Sequence, residues 1–266
     1  MKMIKSVTYV SALAITAFFV GCAEDVDSNA IRTEGIYANY QAVASGDGTT
    51  QVRAELRVGG DNAGATYIKL TGDDQLIASA DQDGDGEPDS AKMGHNNSGN
   101  RHWYLSRFTT DEDNTEFNIA FDRGDEDESA PNSSVRIPKP FSMSIEGIDE
   151  GDEIERGADV VVTWSNEDGG DINWEVDGDC IWRETGRTSD DMELVLSAED
   201  IRVLSTDEGE SCTVKVTLER TRMGTVDPAF GEGGVFWGIQ RRGFEFTSTP
   251  APGEGEGGDG GAGGGS

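Results

Sequence analysis

Among 266 residues the chain has three cysteines, two histidines, seven prolines and, beyond residue 5, only four lysines. Each scarcity removes a class of function. His95 and His102, separated by six residues, cannot supply a His-rich metal centre, and their spacing matches no familiar zinc site. A Ser-His-Asp triad would have to use one of them, and no Gly-x-Ser-x-Gly elbow is present. No phosphate-cradling glycine loop or dinucleotide fingerprint occurs. No segment sustains a 3.6-residue apolar period, which excludes the helical fold classes. With 52 acidic residues, carboxylate pairs of the kind glycosidases use arise by chance and identify nothing. The sequence therefore reads as a non-enzyme.

The shortage of lysine leaves acidity unbalanced. The formal charge is −31, and the first 21 residues hold Lys2 and Lys5 with no acid, so the chain from Cys22 onward carries −31 − 2 = −33. Such a surface repels nucleic acid phosphates and anionic lipid head groups, so nucleic acid is not an expected partner. The same acidity serves either simple solubility or life in salt and divalent cations, where self-repulsion is screened.

What is present begins with the N-terminus. Lys2 and Lys5 precede an apolar run from Val7 to Val20, broken only by Thr8, Ser11 and Thr16 and ending in Phe19-Val20-Gly21-Cys22. This is the layout of a secretory signal, too short and wrongly flanked for a spanning helix. The last four residues resemble the lipobox of bacterial lipoproteins, with Phe19 where Leu, Val or Ile is usual. The resemblance implies lipid on Cys22. Ala23, which follows it, implies sorting to the outer membrane. The polar residues after Cys22 read as a tether.

If Cys22 is acylated, Cys180 and Cys212 remain as an even pair in an oxidising compartment, which predicts a disulfide, two free thiols being the alternative.

The body alternates. Val52, Ala54, Leu56 and Val58 interleave with Gln51, Arg53, Glu55 and Arg57, and Phe117, Ile119 and Phe121 interleave with polar residues. Further strands are expected at 34–43, 65–71, 75–79 and 102–109, separated by Gly, Asn and Asp turns. Beyond the Pro138-Lys139-Pro140 break the same style continues, at 141–146, 160–164, 172–176, 192–196, 212–220 and 235–247, with a helical turn at 197–204. About seven strands over 138–249 resemble an immunoglobulin-like or fibronectin type III sandwich, in architecture only. The cysteine spacing is too short for an inter-sheet bridge and implies one at the rim of neighbouring strands. From Pro250 the composition is Pro, Gly, Glu and Asp, which predicts disorder.

Residues 81–89 read Asp-Gln-Asp-Gly-Asp-Gly-Glu-Pro-Asp. Carboxylates on alternate residues of a tight loop can turn inward on a cation, and Gly86 permits the bend. Lys92 stands where an EF-hand has its closing glutamate. The segment resembles a single aspartate-rich calcium loop of thrombospondin type 3 repeats. That resemblance implies structural calcium held by the side chains of Asp81, Asp83, Asp85 and Asp89 and by the backbone carbonyl of Glu87. An acidic turn holding no ion has the same composition. Trp103, Tyr104, Trp164, Trp174, Trp182 and Trp237 offer either core or a sugar-stacking face.

The fold class expected is all-β: two antiparallel β-sandwich domains behind a signal peptide and short tether. The segments are a signal peptide (1–21), a lipidated tether (22–32), an N-terminal β domain with the calcium-type loop (33–137), an immunoglobulin-like sandwich (138–249) and a disordered Gly- and Glu-rich tail (250–266). The function expected is a membrane-anchored envelope lipoprotein acting as a binding or interaction module, its ligand, protein or glycan, unknown. The alternatives are a structural envelope component without a ligand, a carbohydrate-binding protein, or a hydrolase.

Overall fold

The computed structural model describes residues 25–61, 64–124, 128–198, 201 and 210–250. The described residues are all β apart from short 3-10 turns, and no helix among them is long and apolar enough to cross a membrane. The first half holds β1 (Val26–Asp27), β2 (Tyr37–Ala44), β3 (Thr50–Val58), β4 (Thr66–Lys69), β5 (Gln75–Ala80), β6 (Asp89–Lys92), β7 (Gly94–Ser98), β8 (Arg101–Phe108), β9 (Glu116–Asp122) and β10 (Ala130–Arg136). The second holds β11 (Met143–Ile145), β12 (Glu153–Glu155), β13 (Val160–Trp164), β14 (Asp171–Gly178), β15 (Glu184–Ser189), β16 (Glu193–Leu196), β17 (Cys212–Met223) and β18 (Gly234–Thr249).

One long sheet backs both halves. Its order is β1-β4-β3-β2-β18-β17-β14-β15, with β8 and then β7 added on β3, and β12 on β18. A four-stranded sheet, β10-β9-β5-β6, closes the first half, and a three-stranded sheet, β11-β13-β16, closes the second. The second half is thus a sandwich of β11-β13-β16 on β15-β14-β17-β18, with the two sheets exchanging strands along the chain, an immunoglobulin-like arrangement.

Alternation sets which face is buried. Ala38, Tyr40, Ala42 and Ala44 of β2 and Phe117, Ile119 and Phe121 of β9 are fully buried in one apolar cluster. Each such large side chain contributes about 1.5–3 kcal/mol relative to exposure. Val162, Leu196, Ile172, Val216 and Phe246 belong to a second cluster.

Between the clusters lies a polar layer, and the inward face of the β17–β18 hairpin passes through all three. Phe236 joins the first cluster, Phe244 and Phe246 the second, and Arg220, Arg222, Gln240 and Arg242 lie between. Arg220 is 2% exposed and carries the layer. It donates to the carbonyls of Lys139 and Asn166 and to Asp190 Oδ1 at 2.8 Å, and its guanidinium lies 4.9 Å from the Phe141 ring centre. Asp190 also accepts from Trp164 Nε1 and from the amide of Asp168. Burial alone would raise the Asp190 carboxyl, but Arg220 and these donors hold it below the usual carboxylate range. Asn166 has φ of 61°, a conformation asparagine tolerates, and its carbonyl is thereby free to meet Arg220. Gly238 is required where the 136–137 linker crosses β18: a Cβ there would sit 2.7 Å from the Arg136 carbonyl oxygen.

Among the described residues three pairings are parallel: β1 with β4, β12 with β18, and β18 with β2 over Gly234–Gln240 against Ala38–Ala44. The last makes the C-terminal strand a member of the first half as well as the second.

Residues 25–32 differ from the expected tether. Val26 and Asp27 pair with Ile68 and Lys69, and Ser28 is fully buried. Its hydroxyl accepts from the Thr71 amide at 3.0 Å and its carbonyl from Arg123 at 3.0 Å. A polar segment without alternation is fixed here because neighbours satisfy its backbone and hydroxyl groups. Cys22, the signal segment and residues 251–266 lie outside the described residues, as does most of the helical turn expected at 197–204.

Candidate functional site

The Asp-rich loop joins β5 to β6. Carboxylate oxygens of Asp81, Asp83 and Asp85 lie within 4.8 Å of one another. Asp81 accepts from the amides of Gly84 and Gly86, and Asp85 from that of Glu87, so the loop curls around its own carboxylates. Gly84 and Gly86 take φ of 74° and 89°, as a bend this tight requires. Asp89 stands apart from this group: it opens β6 and accepts from Gln82 Nε2. Glu87 is exposed.

The two histidines meet each other. His95 on β7 and His102 on β8 share a hydrogen bond of 2.9 Å, Nε2 to Nδ1, with their rings stacked. His102 is buried, and its Nε2 lies 2.9 Å from Asp25 Oδ2. The hydrogen bond to His102 holds the Asp25 carboxyl below its usual range, and burial holds the His95 imidazole below its own. The arrangement ties Asp25, the residue ahead of β1, to the strand β8.

Cys180 and Cys212 are bonded, with Cα atoms 5.9 Å apart. Cys180 follows β14 and Cys212 opens β17, and these strands are antiparallel neighbours, so the bond closes the end of one sheet.

The tryptophans do not form an exposed row. Trp164 and Tyr104 are buried and Trp103, Trp174 and Trp237 are half-buried, whereas Trp182 is 57% exposed. Trp103 and Trp237 do share the outward face of the long sheet, and the Arg53 guanidinium covers Trp103 at 5.3 Å.

That outward face carries the feature the sequence reading did not assemble. Arg53, Glu55 and Arg57 alternate along β3 and so face the same way; Arg101 joins them from β8. Glu55, only 3% exposed, pairs with all three arginines. Burial would raise its carboxyl, yet Arg57 and Arg101 hold it below the usual range. Nearby are two joined grooves. One, of about 710 Å³, is bordered by Arg183 just ahead of β15, Arg187 of β15, Lys215 of β17 and Arg241 of β18, with Glu175 and Glu219 as its acids. Its floor is made of short residues, Asn173, Thr185 and Thr217, with Trp174 and Gly186, a cross-strand pair, between them. The other, of about 240 Å³, shares Arg241 and adds Arg53 and Arg107, with Asp47 as its acid. Long side chains around short ones create the depression on an otherwise flat sheet.

No protein-family model matches the chain, and no curated protein does. Among solved structures, the chain is similar to the FN1–FN3 domains of chicken CNTN1, with 9% identity and a TM-score of 0.29, over 82% of this chain and 70% of that one. It is also similar to the IG1 and IG2 domains of DIP-gamma, with 9% identity and a TM-score of 0.24, over 82% and 99%. At these values the likeness adds nothing to the strand order, from which the sandwich is read.

Proposed function

We propose that the chain is an exported lipoprotein, anchored through lipid on Cys22 in the outer membrane, whose β body is a non-catalytic binding module presenting the outward face of the long sheet. The observation that carries the binding reading is a reversal of charge. The residues lining the two grooves include six cations and three acids, in a chain with 21 cations and 52 acids, and five of the six cations are held in place by ion pairs with acids in or beside the grooves. A surface maintained against the composition of the whole chain is a surface with a use. The anchor reading rests on the basic start, apolar run and Gly21-Cys22. Several acyl chains, at about 0.8 kcal/mol per buried methylene, anchor stably where one does not. Cys22→Ser is expected to move the protein from the membrane fraction to the soluble one or to block processing. A variant that stays in the membrane fraction and is correctly cleaved would refute the anchor.

In the same reading, calcium sits in the loop of Asp81 to Asp89 and stiffens the β5–β6 turn. Support comes from the convergence of Asp81, Asp83 and Asp85. Carboxylates this close repel one another, and a divalent cation removes that repulsion. Without a closing glutamate, the affinity expected is on the order of 10⁻⁴–10⁻³ M. Calcium at millimolar concentration should raise the melting temperature more than magnesium, which demands a stricter octahedron. Asp83→Ala with Asp85→Ala should erase that difference. A titration calorimetry trace with no saturable calcium signal would leave the loop as an acidic turn.

A further inference from the structure

We propose that the two joined grooves bind a linear acidic polysaccharide, laid across the strands of the long sheet; the proposal rests on the outward face being the binding face. Four observations carry it. First, the grooves meet at Arg241, so their cations form one track from Arg187 on β15 to Arg107 on β8. The strand order between those ends is β15-β14-β17-β18-β2-β3-β8, which spans roughly 29 Å at the usual strand spacing. A 1,4-linked hexose repeats at about the spacing of neighbouring strands, so successive sugars can meet successive strands.

Second, the cations are mainly arginines, whose planar fork matches a carboxylate in a two-pronged way. Most are poised by a partner acid: Arg241 by Glu219 at 2.6 Å and Arg187 by Asp171 at 3.2 Å. Arg107 has no ion pair among the described residues and is exposed at the far end of the track. Third, the floor offers hydroxyl and amide groups, from Asn173, Thr185 and Thr217. Together with the acceptors Glu175 and Glu219, these suit ring hydroxyls. Fourth, Trp174 is the one aromatic residue among the lining residues, and its indole packs against Gly186 and the second apolar cluster. Single-stranded nucleic acids are held by bases stacked on aromatics above a uniformly basic groove. The groove carboxylates would repel a uniform phosphate chain but accept hydrogen bonds from sugar hydroxyls. Charge complementarity is local: the chain from Cys22 carries −31 − 2 = −33 as a whole, whereas cations outnumber acids among the residues that line the two grooves.

The test is calorimetric titration of the full-length protein at fixed ionic strength. The probes are an oligogalacturonate long enough to span the track, its methyl ester, and an oligothymidylate of equal charge. The variants are Arg187→Gln with Arg241→Gln, and Thr217→Glu, which sets a carboxylate on the groove floor. Arg136→Gln, on the opposite sheet, is the control. The result expected is saturable binding of the oligogalacturonate, weakened about tenfold or more by either groove variant and unchanged by the control. The ester and the oligothymidylate should bind far more weakly. An ester that binds as well as the acid, and is weakened by the groove variants, overturns the acidic class while the face stands. Equal binding of the oligothymidylate overturns the polysaccharide assignment in favour of bare charge. Wild-type affinity in both groove variants overturns the face itself, and no saturable binding of the oligogalacturonate by the wild-type protein overturns the proposal.

Discussion

Arg220→Met is expected to destabilise the fold by about 3–5 kcal/mol, the cost of removing one member of a buried ion pair. The residue is 2% exposed, and methionine fills much of its volume, so cavity formation is a minor part of that figure. The loss comes from Asp190, left charged and buried with only Trp164 Nε1 and the Asp168 amide to face it, and from the carbonyls of Lys139 and Asn166, which lose their donor. Urea denaturation of the two proteins measures the difference; a change below about 1 kcal/mol would remove the ion pair from any structural role. Adding Asp190→Asn should restore part of the loss, because a neutral amide needs less compensation. The pH dependence has a definite sign. The Asp190 carboxyl is held low in the folded state, so its stabilisation is present above the ordinary carboxylate value, near 3.9, and is lost as pH falls through the depressed folded value. In Arg220→Met the holding charge is gone, Asp190 protonates at higher pH, and the acid limb of the stability profile should move upward.

Cys180→Ser with Cys212→Ser is expected to cost roughly 3.5–4 kcal/mol. That value follows from the chain-entropy model for the loop the bond closes, whose ends are 32 positions apart. The loop contains β15 and β16, one strand of each sheet of the second sandwich, so its closure fixes both relative to β14 and β17. Thermal unfolding with and without reductant checks the same quantity on the unmodified chain. A midpoint that does not move on full reduction would mean that the strand ladder of β14 and β17 holds the ends alone.

Strands whose buried residues alternate with polar ones were legible: β2, β3, β9, β13, β14, β17 and β18 all follow that rule, and the pairing of Cys180 with Cys212 followed from the even count left once Cys22 was assigned to the expected anchor. The strands that were not legible are polar ones. In β7, Gly-His-Asn-Asn-Ser has no buried position, and it exists because β8 offers a free edge. In β10, Pro131 argues against a strand, but the register shifts between Ala130 and Ser133, so the missing donor falls at the irregularity. The candidate site was legible only in pieces. The alternation Arg53, Glu55, Arg57 put three charges on one face, but which strands would bring Arg101, Arg107 and Arg241 beside them depended on pairings between residues far apart. The parallel join of β18 to β2 has no local signal at all.

That join also sets an order of events during synthesis. A chain emerges N-terminus first, and β2 is complete at Ala44, but its partner begins at Gly234. At about 5–20 residues per second, the edge of β2 stands open for roughly 10–40 s before the strand that covers it exists. An open edge is a template for the wrong strand, from this chain or another. The N-terminal half therefore cannot finish as an independent folding unit: it waits for the last strand, which is also the strand that completes the second half. Maturation of the two halves is in this way a single late event, and any protection the nascent chain receives must last until β18 has been made.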